Sequence, residues 1–411
     1  MGTGDLARLR TIGRGLRLVI VASFLTACGS AVRTPSPAAQ TPRPSTAAAS
    51  REPSPVTQPT PLTYAGVFAP AGTMKQARYG HVATLLADGR VLLTGGKDGS
   101  DEYATPELYD AATGAFSPTG AMTAARHAYT ATLLQDGRVL ITGGEDRSGD
   151  QAVALHVPGS AELYDPASGT FVPTGPMAAA RLTHTATLLA DGRVLIAGGS
   201  IGGRSTDVLA TAELYDPLSG TFSSAGTMTA ARASPTATLL PNGRVLITGG
   251  TSGTGDLATA ELYDPTTAAF AATRAMTAAR ASYTATLLAD GRVLIVGGFL
   301  SGLESFSSAE LYDPASGSFT LTGAMTETRY QQVATLLQDG RVLVIGGDDA
   351  DGEAVASAEL YDPAGGTFTP TMAMLAERSG FTATELRDGR VLIAGGWVRP
   401  DSVLETIELF R

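Results

Sequence analysis

Tyr129-Thr-Ala-Thr-Leu-Leu134, Gln135-Asp-Gly137 and Arg138-Val-Leu-Ile-Thr142 follow one another without a break. The outer runs are rich in β-branched and apolar residues, and Asp-Gly between such runs favours a tight turn, so the stretch predicts an antiparallel hairpin. The same turn recurs as Asp88-Gly89, Asp191-Gly192, Asn242-Gly243, Asp290-Gly291, Asp339-Gly340 and Asp388-Gly389. Asn and Asp tolerate the positive φ that such a turn needs, and Gly adopts it freely. Downstream, Ala161-Glu-Leu-Tyr-Asp165 reads as a third strand stopped by Pro166, and Thr170-Phe-Val-Pro-Thr174 as a fourth.

Three further markers keep step with the turn. An arginine precedes each unit, as Arg78, Arg126, Arg181, Arg232, Arg280, Arg329 and Arg378. A Gly-Gly pair starts at 95, 143, 198, 249, 297, 346 and 395, and both markers have spacings of 48, 55, 51, 48, 49 and 49. Glu-Leu-Tyr or Glu-Leu-Phe starts at Glu107, Glu162, Glu213, Glu261, Glu310, Glu359 and Glu408. Seven copies of mean period 50 residues therefore fill the chain from residue 64 to 411. Four strands in 50 residues make a sheet that cannot bury both faces alone, so neighbouring sheets must stack. Composition agrees: 49 Gly and 23 Pro in 411 residues, with 17% charged and 6% aromatic side chains, exclude a helical bundle. The single cysteine excludes internal disulfides and any Cys-based metal cluster.

The order of Gly-Gly, acidic-apolar-Tyr and a fourth-strand aromatic resembles the kelch repeat over about 345 residues. Phe68, Phe116, Phe171, Phe222, Phe270, Phe319 and Phe368 stand where kelch repeats usually carry Trp. The resemblance implies an all-β, seven-bladed β-propeller with four antiparallel strands per blade and the first strand innermost. Arg411 follows the third strand of the last unit, and Val67-Phe-Ala-Pro-Ala-Gly-Thr-Met74 matches the fourth-strand stretch Ala115-Phe-Ser-Pro-Thr-Gly-Ala-Met122. The N-terminal strand is thus expected to complete the last blade and close the ring.

Residues 1–27 read as a signal peptide, with Arg8, Arg10, Arg14 and Arg17 before the apolar run Leu18–Leu25. Leu25-Thr-Ala-Cys-Gly29 resembles the bacterial lipobox and marks Cys28 as the lipidated N-terminus of a protein anchored outside the cytoplasm, on the cell membrane or outer membrane. Residues 28–63, rich in Pro, Ser, Thr and Ala, read as a disordered tether. Without signal and tether, residues 64–411 keep 22 basic and 37 acidic side chains, net −15, which opposes nucleic-acid binding and leaves the lipid as the only membrane contact.

In a four-strand meander the 1–2 and 3–4 turns share one face and the 2–3 and 4–1 connections the other. The turns barely vary, whereas the 2–3 loops differ in length and chemistry, so the second face is the candidate binding face. Its candidates are His156 in the long Glu145–Ala161 loop, Phe299, Phe306, the acidic Asp348–Glu353 stretch and Trp397. Three residues after each arginine stand His81, Tyr129, His184, Pro235, Tyr283, Gln332 and Phe381. These either ring the mouth of the central channel as sugar or peptide contacts, or plug it. The seven arginines are expected to pair structurally with the seven third-strand glutamates, rather than to form an anion trap.

Catalytic motifs are sparse. Galactose oxidase carries a kelch-type propeller, but its copper chemistry needs a cysteine crosslinked to tyrosine, and the one thiol here belongs to the lipobox. No sialidase Asp-box surrounds Trp397, and H-E-x-x-H and P-loop motifs are missing. Gly198-Gly-Ser-Ile-Gly202 matches G-x-S-x-G but lies in a strand-to-strand loop. Asp348–Glu353 lacks the spacing of a calcium loop. These features predict a monomeric, non-catalytic module without metal or cofactor, whose partner is a glycan or an envelope protein. A sugar mutarotase at the channel mouth and a structural envelope protein are the alternatives.

Overall fold

The computed structural model describes residues 64–99, 101–145, 159–202, 207–301, 304–398 and 402–411. Cys28, the tether and His156 lie outside the described residues. Each hairpin forms where the sequence predicts it: blade 2 runs Thr130–Leu133, Val139–Thr142, Ala161–Asp165 and Thr170–Pro173, in consecutive antiparallel order. Six four-stranded sheets repeat this order, and the seventh joins Thr382–Glu385, Val391–Ala394 and Thr406–Phe410 to the N-terminal strand Phe68–Thr73. There Phe68 pairs with Phe410 and Pro70 with Glu408, so both ends of the array lie in one sheet. First strands of neighbouring blades touch all round the ring and are innermost. Among the described residues no helix is long and apolar enough to cross a membrane.

Burial follows from this stacking. Second strands such as Val293–Val296 are buried along their whole length, because both faces of the sheet are covered by neighbours. In one inter-blade core Leu294 and Leu311 of blade 5 meet Val342, Val344 and Tyr361 of blade 6. Within a blade the third-strand tyrosine packs on the fourth-strand phenylalanine, as in Tyr164–Phe171 with ring centroids 4.7 Å apart. Phe thus fills the aromatic position that Trp holds in most kelch repeats.

The arginine and the Gly-Gly pair form one device. Each arginine lies in the segment entering its blade, and its guanidinium reaches the third-strand glutamate of that blade at 2.5–3.3 Å. Its Nη1 also donates to the carbonyl of the first glycine of its own blade, as Arg280 does to Gly297. Its backbone carbonyl instead accepts the N–H of the second glycine of the preceding blade, as Arg280 does from Gly250. The glutamate's other oxygen takes a backbone N–H of the entering segment, such as Thr277 N on Glu310. Every arginine is therefore committed to neighbours on both sides, and all seven have relative exposures of 1% or less. Burial pulls the Arg280 guanidinium below its ordinary pKa, while Glu310 opposes that shift.

Candidate functional site

The channel-mouth reading of the third residue after each arginine is corrected by its packing. His81, Tyr129, His184, Tyr283, Gln332 and Phe381 are buried, and the polar ones bond sideways to the preceding blade. His81 Nε2 meets Thr382 Oγ1, His184 Nε2 meets Thr130 and Thr142, Tyr283 OH meets Thr236 and Thr248, and Gln332 Nε2 donates to Val296 O. Tyr129 OH reaches Thr94, and Phe381 lies over Gly346. Burial first, then the nearby arginine, lowers the pKa of His81 and His184 to about 3, so both rings are neutral. This position fills the seams between blades. The Cβ vector decides it: a side chain leaving the inner strand points into the sheet-to-sheet gap, not along the axis.

The arginines likewise offer no open anion site. Arg232, in blade 4, is 0% exposed and spends Nη1 on Gly249 O and Thr259 O, Nη2 on Thr259 Oγ1 and Glu261 Oε1, and Nε on Glu261 Oε1. Arg181 makes the same set of bonds to Gly198, Thr211 and Glu213, and Arg329 binds Gly346 O, Ser357 and Glu359.

The variable ring on the binding face is formed two residues earlier than the seam position. The residue after each arginine pairs antiparallel with the residue after each Gly-Gly: Tyr79 with Lys97, His127 with Glu145, Leu182 with Ser200, Ala233 with Thr251, Ala281 with Phe299, Tyr330 with Asp348 and Ser379 with Trp397. Seven copies of one backbone bridge thus carry seven different pairs. Blades 3 and 4 offer Leu182, Ser200, Ala233 and Thr251, whereas chemistry concentrates in an arc from blade 5 round to blade 2.

Side chains in that arc touch across every seam. Phe299 packs on Tyr330 with centroids 5.1 Å apart, and Ser379 Oγ donates to the buried Asp348 Oδ2 at 3.1 Å. Trp397 packs on Tyr79 at 6.1 Å with planes 41° apart, and Lys97 Nζ lies 5.5 Å from the Tyr79 centroid. Lys97 Nζ is also 3.3 Å from His127 Nε2. His127 Nδ1 meets Glu102 Oε1 at 2.7 Å, and Nε2 meets Glu145 Oε1. Tyr79, Trp397, Phe299 and Tyr330 are half-buried, the burial class of side chains that keep one surface for a ligand. Short hairpins such as Trp397–Val398 with Ser402–Val403 hold the loops behind them.

The Glu102–His127–Glu145 set brings three potential ligand atoms within 4.8 Å of one another. A carboxylate stands at each end of the ring, however, and an ammonium lies beside Nε2, which is the environment of an imidazolium rather than of a metal ion. Burial lowers the His127 pKa, the hydrogen bonds to Glu102 and Glu145 raise it more, and the net shift is upward against the opposition of Lys97.

Of the remaining sequence candidates, Trp397 is on the rim and Phe306 covers the Arg280 guanidinium at 4.7 Å. Ser200, the would-be nucleophile, spends its hydroxyl on Gly202 O. In the acidic stretch, Asp349 Oδ1 accepts the N–H groups of Asp351 and Glu353, an internal turn, while Asp348 belongs to the rim. Tyr79, Lys97, His127 and Tyr330 are missed by the sequence reading. A column alignment of the repeats one residue past the arginine shows the same variation that drew attention to the third residue.

The Kelch motif model matches residues 181–229, which cover blade 3 from its arginine onward. Two solved structures share the fold. One, "Novel fungal alcohol oxidase with catalytic diversity among the AA5 family, in complex with copper", is 19% identical, with 85% of this chain and 76% of that chain covered and a TM-score of 0.66. The other, "Structure of YjhT", is 15% identical, with 73% of this chain and 99% of that chain covered and a TM-score of 0.57. No curated protein matches by sequence comparison. Architecture and closure define a seven-bladed β-propeller with its variable rim on one face. The repeat that builds it is the kelch motif, and the chain is a kelch-repeat β-propeller.

Proposed function

We propose that this protein is a glycan-binding module held outside the bacterial cell by a lipid on Cys28. The observation that carries the reading is the arc Phe299–Tyr330–Asp348–Ser379–Trp397–Tyr79–Lys97. Half-buried rings alternate there with carboxylate, hydroxyl and ammonium groups on the face whose loops vary. Sugars present apolar C–H faces edged by hydroxyls, which stack on aromatic rings and bond to polar neighbours. Tyr64, at the start of the described chain, donates its hydroxyl to Glu385 and accepts from Gln338 N, beside the Asp-Gly-Arg turns of blades 6 and 7. A tether arriving there reaches the propeller on the face opposite the arc, which leaves the arc open to an extracellular ligand.

The test is glycan-array binding by the full chain and by Trp397→Ala, with loss of one stacked ring expected to weaken a bound glycan at least tenfold. An unmodified array profile in both proteins, together with capture of an envelope protein that Trp397→Ala abolishes, would replace the glycan by a protein partner. His127 between two carboxylates favours a second reading, acid–base chemistry on the bound sugar of the mutarotase kind. Anomer exchange measured by NMR, accelerated by the wild type and not by His127→Gln at equal glycan affinity, would decide for it.

A further inference from the structure

We infer that His127 is a proton-operated clasp that holds the blade 2 loop to the rim and releases it at the Glu145 side when the ring deprotonates. The ring lies in the seam between blades 1 and 2, 6% exposed, with both nitrogens facing carboxylate oxygens. Two such contacts require two N–H donors, and only the imidazolium has both. Glu102 comes from the blade 1 loop and Glu145 opens the blade 2 loop, so one charge ties two loops of the variable face.

The other charged groups facing the ring are accounted for. Lys97, from blade 1, lies 3.3 Å from Nε2, and the adjacent Arg126 commits its guanidinium to Glu162, Gly143 O and Ser160. Asp98 and Asp101, on the blade 1 loop, are engaged with Tyr103 and with each other. When the ring loses its proton, Nδ1–H stays on Glu102 and Nε2 becomes an acceptor. A lone pair would then face the Glu145 oxygen, and the Lys97 ammonium is in place to donate to Nε2 instead. Glu145 loses its donor, whereas the blade 1 side keeps both of its contacts. The clasp is asymmetric for that reason, and no other blade has His at this position.

The sign follows from the raised folded-state pKa. The clasp is complete below the ordinary histidine value near 6.5 and is lost as pH rises through the higher folded value. The experiment is amide hydrogen exchange on the full chain between pH 5.5 and 9, corrected for intrinsic exchange, together with 15N shifts of the histidine rings. Glu145 N and His127 N donate to each other's carbonyls and report the bridge directly. His81 and His184 remain neutral across this range, so His127 is separated from His156 by a His156→Gln background. Expected are a doubly protonated His127 at pH 6 and protection of the two amides that falls at least tenfold above its titration. Glu145→Gln should remove that pH step while retaining exchange protection in the other blades. A neutral His127 ring at pH 6, or amide protection that does not change across its titration, would overturn the clasp.

Discussion

Glu310→Gln tests whether the buried arginines are structural. Arg280 Nη2 and Glu310 Oε1 are 3.1 Å apart with both side chains 0% exposed, and the carboxylate also accepts Thr277 N at 2.8 Å. Glutamine offers one acceptor where two donors converge, and its NH2 must face the other donor. The guanidinium stays buried without a counter-charge. Removing one partner of a buried pair costs about 3–5 kcal/mol. Gly297 O, Ser308 O and Ser308 Oγ still hold the guanidinium, which places this case near the lower end, about 3 kcal/mol. The control is Asp290→Asn in the same blade, whose pair with Arg292 is 2.6 Å long but 44% exposed at the carboxylate. An exposed pair of this kind contributes below about 1 kcal/mol. Urea unfolding of the full chain at pH 7, followed by tryptophan fluorescence and circular dichroism, compares the two. A Glu310→Gln loss no larger than that of Asp290→Asn would refute the structural reading and reopen the arginine ring as an anion site.

Other outcomes follow from breaks in the repeat. Tyr164, Tyr215, Tyr312 and Tyr361 each bond a threonine of the preceding blade, but the equivalent residues facing Tyr109 and Tyr263 are Ala71 and Ala225, and those two hydroxyls have no hydrogen-bond partner. Ala71→Thr, at a half-buried site with room for the hydroxyl, should stabilise the chain by about 1 kcal/mol in the same urea assay. Six Asp-Gly turns pair with their arginine at 2.6 Å, while Arg244, beside Asn242, turns to Asp264. Asn242→Asp should restore the local pair and add no more than about 0.5 kcal/mol at this exposed site. Gly346 has φ 57°, and a Cβ there would lie 2.6 Å from Phe381 Cε1 and 2.8 Å from Arg378 O. Gly346→Ala should cost at least about 2 kcal/mol, and Phe381→Ala in the same chain should recover only the side-chain part of it.

Period, strand order, turn chemistry and ring closure were all legible in the sequence because they are local or repeated. Asp-Gly between two β-prone runs specifies a hairpin wherever it occurs, and seven copies average out the ambiguity of any one. The pairing of Arg78 with Glu107, of Arg232 with Glu261 and of their five counterparts was legible for the same reason, since both partners keep a fixed place in the repeat. What a side chain faces across a seam is not local. Tyr283 was read as a channel residue, yet its hydroxyl meets Thr236 and Thr248 of another blade, a contact that exists only once two sheets stack. Lys97 and His127 stand 30 residues apart and carry no motif between them. Only closure of the ring sets blade 1 against blade 2, and Trp397 of the last blade against Tyr79 of the first. The sequence by itself determined the repeated unit and the face on which it varies. Tertiary structure decided which variable residues become neighbours, because sheet-to-sheet geometry, not chain order, brings them within contact distance.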